Sequence, residues 1–242
     1  MKKFLLLLLA ISGLSFAEGN TVELRIGADL STNSKLKFVD IYDENFSVKG
    51  LKNGFEIGAE YRRDLGTGFE LGAGFFYKKN SYHNELKEYS VEGTIIDSKG
   101  MTASSKGFHS FPIYATARYN FMTPSDSIKP YIKANLGYSI NSGKLTSHYA
   151  ENFSYFNDIA GRLNSDIKFK NGLYYGIGTG IKYNNFSVDL SYNEIHSKFS
   201  ETFMDSASSN SSSTTGVYEY ATYNKKLKNR FVTLSFGYNF EF

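Results

Sequence analysis

Phe231-Val-Thr-Leu-Ser-Phe-Gly-Tyr-Asn-Phe-Glu-Phe242 closes the chain, and from Val232 onward every second residue is apolar: Val232, Leu234, Phe236, Tyr238, Phe240, Phe242. A period of two places alternate side chains on opposite faces of an extended strand. The same pattern recurs over 22–30, 55–61, 69–77, 111–121, 132–140, 173–183 and 186–192, and helical periodicity is nearly absent. The eight apolar faces carry no charge, and their one non-aromatic polar residue is Thr179. The opposite faces hold Glu23, Arg25, Asp29, Glu56, Glu60, Glu70, Arg118, Lys133, Lys182, Asp189 and Glu241, interspersed with glycine. The chain reads as all-β with one apolar and one polar face.

A soluble sandwich also alternates, with its apolar face inward. Three features turn this one outward. Aromatics gather at the stretch ends: Tyr61, Phe69, Tyr119, Phe121, Tyr183, Phe186, Phe240 and Phe242 at one rim, Phe75, Tyr77, Phe111, Tyr138, Tyr175 and Tyr192 toward the other. Connections alternate between short (62–68, 122–131, 184–185) and long (31–54, 78–110, 141–172, 193–231). Strands of this length, rising about 3.3 Å per residue and tilted by about 45°, match an apolar band roughly 25 Å tall. These features predict an eight-stranded antiparallel up-and-down transmembrane β-barrel in a cell outer membrane, with short periplasmic turns and four long extracellular loops. Some alternation over 86–96 leaves ten strands open.

Of the 242 residues, 1–17 read as a removable export signal: basic Lys2 and Lys3, an apolar run from Phe4 to Ile11, and Ser15-Phe16-Ala17 before the cleavage point. The barrel domain is then 18–242. Net charge is +3, too balanced for a nucleic-acid surface. The absence of Cys removes disulfides, thiol catalysis and a lipoprotein anchor. With Tyr 19 and Phe 21 the chain is aromatic beyond what a soluble core needs, as a lipid-facing surface with interfacial girdles would require.

The final twelve residues, with Pro112-Ile-Tyr-Ala-Thr-Ala-Arg-Tyr-Asn-Phe121 and Lys129-Pro-Tyr-Ile-Lys-Ala-Asn-Leu-Gly-Tyr138, resemble the small eight-stranded outer-membrane barrels of the opacity-type and OmpX-like family, over essentially all of 22–242. The resemblance implies that Phe236, Tyr238, Phe240 and Phe242 form a signal read by the barrel assembly machinery. Some relatives carry a peptidoglycan-binding domain after the barrel; here the chain is expected to end with its eighth strand.

An eight-stranded lumen is just wide enough for side chains to fill. Inward glycines (Gly27, Gly58, Gly72, Gly74, Gly137, Gly176, Gly178, Gly180, Gly237) leave room for Phe76, Tyr114 and Tyr174. The luminal charges Arg25, Glu56, Glu60, Glu70, Arg118, Lys133, Lys182, Asp189 and Glu241 are candidates for a salt-bridged plug or a narrow ion path. Expected pairs are Glu70 with Arg118, Arg25 with Glu241, and Lys182 with Asp189.

Gly176-Ile-Gly-Thr-Gly180 has period-two glycines and no following helix, so it is no nucleotide loop. His83, His109, His148 and His196 form no closely spaced pair, and neither a metal nor a cofactor is expected. Some barrels of the family modify lipid with a His and a Ser two apart on one lipid-facing strand. Here His109-Ser110 and His196-Ser197 are adjacent and should face opposite ways, although Glu194 could orient a base.

The long connections exceed half of the mature chain and are rich in Tyr and Phe (Tyr82, Tyr89, Tyr149, Phe153, Tyr155, Phe156, Tyr218, Tyr220, Tyr223), either as contact residues or as strands continued above the membrane. Ser206 to Gly216 is low in complexity and is expected to be a mobile tip. The expected role is a monomeric, non-enzymatic barrel, anchored in outer-membrane lipid, whose loops adhere to a host or cell-surface ligand. A narrow channel, a structural envelope barrel and a lipid-modifying enzyme are the alternatives.

Overall fold

In a computed structural model of the chain, the described residues are 19–39, 45–49, 51–81, 102–123, 127–152, 160–206 and 218–242. The expected signal, the 86–96 segment and most of the serine-rich stretch lie outside them. Among the described residues ten strands form: β1 (Asn20–Val39), β2 (Asn45–Lys49), β3 (Phe55–Asp64), β4 (Phe69–Asn80), β5 (Thr102–Asn120), β6 (Ile128–Asn152), β7 (Ala160–Phe169), β8 (Gly172–Tyr183), β9 (Phe186–Ser206) and β10 (Tyr218–Glu241). Eight of them close an antiparallel barrel in the order β1, β3, β4, β5, β6, β8, β9, β10, with β10 returning to β1 through pairs running from Thr21↔Glu241 to Ser34↔Asn229. Closure leaves the barrel wall without a free edge, as a membrane-spanning sheet requires.

The barrel is inside out. Leu24, Ile26, Ile57, Leu136, Ile177 and Phe236 are each more than half exposed on its outer face, while Arg25, Glu56, Arg62, Lys78 and Arg118 are buried inside it. Thr179, the polar exception on the outer face, donates its hydroxyl to the Tyr131 carbonyl oxygen at 3.0 Å and so presents no unsatisfied group to lipid. Among the described residues no helix is long and apolar enough to cross a membrane.

The short connections obey turn chemistry. Gly66, Thr67 and Gly68 all have positive φ between β3 and β4, and the Asp64 carboxylate accepts the Gly66 amide at 2.8 Å. Between β8 and β9 the turn is only Asn184-Asn185, with Asn184 at φ 49°. Asn tolerates that left-handed conformation at small cost.

At the other end the strands continue beyond the apolar band, with Tyr149 in β6 and Tyr218, Tyr220 and Tyr223 in β10, which is the second of the two readings for these tyrosines. Strands run far into the segments read as long loops: β6 to Asn152, β9 to Ser206, and β10 from Tyr218. Two strands lie wholly within such segments, β2 on the end of β1 and β7 between β6 and β9. Past the apolar band neither face meets lipid acyl chains, so the outward apolar signal stops while the pairing continues.

Candidate functional site

Two charged centres stand out, one inside the barrel and one on its outer face. Inside, Arg62 on β3 is enclosed by four acceptors: its Nε donates to Glu70 Oε2 at 2.7 Å, its Nη1 to Glu60 Oε1 at 2.6 Å and Glu23 Oε2 at 2.8 Å, and its Nη2 to Asn239 Oδ1 at 2.8 Å. β1, β3, β4 and β10 are thereby tied across the closure. Arg25 reaches Glu56 at 2.7 Å and Glu60 at 3.8 Å, and Lys133 reaches Asp189 at 2.7 Å. Arg118 lies between Glu23 at 3.7 Å and Glu70 at 3.9 Å, with its guanidinium 3.4 Å from the Tyr131 ring centroid. Nearer the long connections, Asp29 pairs with Lys78 and accepts from Thr233 Oγ1 at 3.0 Å and Asn80 Nδ2 at 3.1 Å.

Between these charges lies an aromatic layer. Phe76, Tyr114 and Tyr174 meet with ring centroids 5.4–6.0 Å apart and are joined by Ile195 and Phe231, all at most 2 % exposed. Tyr114 donates its hydroxyl to Glu60 at 2.9 Å, and Tyr174 donates to Asn193 Oδ1 at 2.8 Å. The inward glycines make room for this layer and for Tyr131 beside Arg118. A Cβ at Gly74 would lie 2.7 Å from the Tyr114 ring, one at Gly180 2.5 Å from the Tyr131 ring, and one at Gly58 2.6 Å from Phe76 Cβ.

Of the residues expected in the lumen, Arg25, Glu56, Glu60, Arg118, Lys133 and Asp189 are buried and Glu70 is half-buried among them. Lys182 and Glu241 instead pair with each other at the turn end, where Glu241 is exposed and a shallow recess of about 340 Å³ also includes Lys129, Asn184 and Asn185. Two expected pairs do not form. Arg25 stands opposite Gly237 rather than Glu241, and Lys182 opposite Ser187 rather than Asp189. Strand order alone suggests those partners, whereas register places Arg25 opposite Gly58, between Glu56 and Glu60, and places Asp189 opposite Gly180, one inward position from the row of Lys133, whose side chain reaches it. Glu70 does stand opposite Arg118. Arg62 and Lys78 fall one residue beyond the stretches 55–61 and 69–77; continuing the inward parity of Glu60 and of Phe76 would have found both. Phe236, Tyr238, Phe240 and Phe242 all face outward and are exposed.

The second centre is Glu194 on β9. Its position alternates outward with Tyr192 and His196, just past the apolar band, yet it is only 4 % exposed. Arg230 Nε donates to it at 3.1 Å and Tyr192 at 3.3 Å, His196 pairs with it closely, and Tyr175 bonds the same His196 nitrogen at 3.1 Å. Burial pushes the Glu194 carboxyl up, but hydrogen bonds from His196, Tyr175 and Arg230, with the Arg230 charge, outweigh it and hold the group below its ordinary range. Ser197 and Ser110 are buried on the inner face while His196 and His109 lie on the outer one, so neither serine accompanies its neighbouring histidine. Among the described residues no cluster of His, Asp and Glu could hold a metal ion.

The family described as outer membrane protein beta-barrel domain matches residues 4–240. The chain belongs to that family. An uncharacterized protein, PM1543, of Pasteurella multocida (strain Pm70) is 30 % identical over 137 residues, covering 53 % of this chain and 55 % of that protein. The match thus spans about half the length of the relative. Among solved structures, Ail, the attachment invasion locus protein of Yersinia pestis, is 16 % identical over 93 % of this chain and 100 % of its own, with a TM-score of 0.38. The outer membrane enzyme PagL is 15 % identical over 89 % of this chain and 97 % of its own, with a TM-score of 0.36. Similarity at this level concerns the fold alone, and one fold hosts many activities. The protein is an outer-membrane β-barrel.

Proposed function

We propose that this barrel is a plugged, monomeric and non-enzymatic anchor whose elements beyond the membrane bind a host or cell-surface ligand. The observation that carries this reading is a contrast along the barrel axis. The lumen is filled by Phe76, Tyr114, Tyr174 and paired charges, whereas β6, β7, β9 and β10 continue past the last lipid-facing residues Ile140, Tyr192 and Val232. A filled lumen leaves little for transport, and an extended rim is more than anchoring needs. Under this reading the long connections face the cell exterior, where a ligand on another surface can reach them. The separation of His196 from Ser197 by the barrel wall favours a non-enzymatic role, because a hydroxyl nucleophile must lie within hydrogen-bond reach of its base. Residues 18–242 then form the mature domain, and Phe236 to Phe242 the strand read during assembly.

Replacing 207–217 or 82–101 by short turns leaves β4, β5, β9 and β10 intact. Cells displaying either variant at wild-type surface density should attach at least several-fold less than cells displaying the parent. Unchanged attachment by both would refute the reading.

A second reading, a narrow ion path, has one observation in its favour: Thr116, Asn135, Asn229 and Ser235 each bury a side-chain polar atom without a protein partner. Conductance separates the two.

A further inference from the structure

The outer face of β7, β9 and β10 beyond the apolar band is cationic. Lys168 and Lys170 on the β7 side, Lys198 on β9, and Lys226, Lys228 and Arg230 on β10 are all exposed. On β10 they alternate with the buried, inward-facing Leu227, Asn229 and Phe231, so Lys226, Lys228 and Arg230 point away from the barrel axis. The register makes them one surface: Lys226 stands opposite Lys198, Lys228 opposite His196, and Arg230 opposite Glu194. Lys170 Nζ reaches across β9 to Asn224 Oδ1 at 2.7 Å.

Two features favour a ligand here over a merely solvated strand surface. Lys198 directly opposite Lys226 is a like-charge cross-strand pair, which costs stability unless an anion lies between the two. The described residues supply none there, because the nearby carboxylate, Glu194, is occupied lower down by Arg230, His196 and Tyr192. That carboxylate holds Arg230 at the lower edge of the patch, beside Tyr192 and Tyr175 of the aromatic girdle. Across β3, β4 and β5, by contrast, Lys79 stands opposite Phe55 and His109. Other lysine pairs occur in the register at Lys35–Lys49, at Lys129–Lys182, where Glu241 pairs with Lys182, and at Lys144–Lys168, which adjoins this face.

We propose that this face binds the phosphate groups of a phosphorylated glycolipid in the outer leaflet. The height of the patch selects the ligand. Cations immediately above a lipid-facing band, flanked by interfacial tyrosines, lie at the level of headgroup phosphates, where each Lys or Arg adds to the attraction of an anionic surface. Arg230 supplies fork geometry suited to a phosphate, and the lysines supply point charges around it. The inference rests on the outer-membrane setting and not on the attachment role.

The test uses the full mature chain refolded in neutral detergent, titrated with fluorescent bisphosphorylated lipid A or its dephosphorylated analogue. The phosphorylated probe should bind and the analogue at least tenfold more weakly. Removing cations should weaken binding roughly fivefold for each, so Lys198→Gln/Lys226→Gln/Lys228→Gln/Arg230→Gln should abolish measurable preference for phosphate. Lys198→Arg/Lys226→Arg/Lys228→Arg should retain it, and Lys52→Gln/Lys79→Gln, on the β3–β4 side of the same rim, should behave as the parent. Folding of each variant is read from its heat-dependent gel shift; should the quadruple variant not fold, Lys226→Gln and Lys228→Gln are read singly against the same expectation. Equal binding of the two probes, or parental binding by the cation-depleted variants, would overturn the proposal. So would a preference for a soluble sulfated oligosaccharide over the lipid.

Discussion

Arg62 and Glu194 are each the centre of a charged cluster, and they differ in what surrounds their partners. The ligands of Arg62 come from four strands and are themselves enclosed, with the Arg62 side chain 1 % exposed. Glu194 is comparably enclosed at 6 %, but the Arg230 it holds is 45 % exposed. The inner cluster consumes its charges against one another, whereas the outer one fixes a single carboxylate and leaves cations facing outward. An enclosed network supports the barrel; an open one is available to a ligand.

The contrast should show most strongly when a charge is removed from each centre. Arg62→Ala leaves the buried Glu23 and Glu60 and the half-buried Glu70 without their main counter-charge, and should cost about 3–5 kcal/mol of unfolding free energy in urea titrations of the refolded barrel. Loss of less than about 1 kcal/mol would mean that the interior is wetter than its packing implies. Next in size is Gly74→Val, which drives a side chain into the Tyr114 ring and should cost about 1–3 kcal/mol. Tyr114→Ala in the same background should recover part of that loss, and an additive double variant would deny the contact.

On the outer face the expected effects shrink. Arg230→Gln removes a largely exposed partner of Glu194 and should change stability by no more than about 1 kcal/mol, in urea titrations like those for Arg62→Ala. The smallest effect concerns pH. The Glu194 carboxyl is held below its ordinary value of 4.5, so its contribution is fully present above that value and disappears as pH falls through its lower folded-state value. Urea midpoints between pH 6 and pH 3 should therefore fall slightly less for Glu194→Gln than for the parent; identical profiles would show that the cluster does not favour the ionised form.

The difference between the centres also explains what could be read from the chain. Wherever a strand touches lipid, each outward residue must be apolar or, like Thr179, hydrogen-bonded to the wall itself, so the eight stretches, their alternation and the inward Phe76, Tyr114 and Tyr174 are visible residue by residue. Beyond the band that constraint lapses: β2, β7 and the extension of β6 carry mixed side chains, and in β9 and β10 the alternation reverses, with Ile195, Phe199, Leu227 and Phe231 inward, so a search for outward apolar residues stops at the band. Ion pairing depends on register rather than composition. Strand order alone permits Arg25 to pair with Glu241, because a bulge-containing β1–β10 seam cannot be aligned from alternation. The outward cluster around Glu194 joins residues as distant as Tyr175 and Arg230, and only the pairing of β8, β9 and β10 brings them together.

A closed lumen with function at the rim is tested most directly by planar-bilayer recording of the refolded barrel. The bilayer should stay silent with protein shown to be folded by its gel shift, and steps should appear once Phe76, Tyr114 and Tyr174 are together replaced by alanine. Steady, ion-selective steps from the parent protein would contradict the closed lumen and would make Arg25, Arg62, Arg118 and their carboxylates the functional residues.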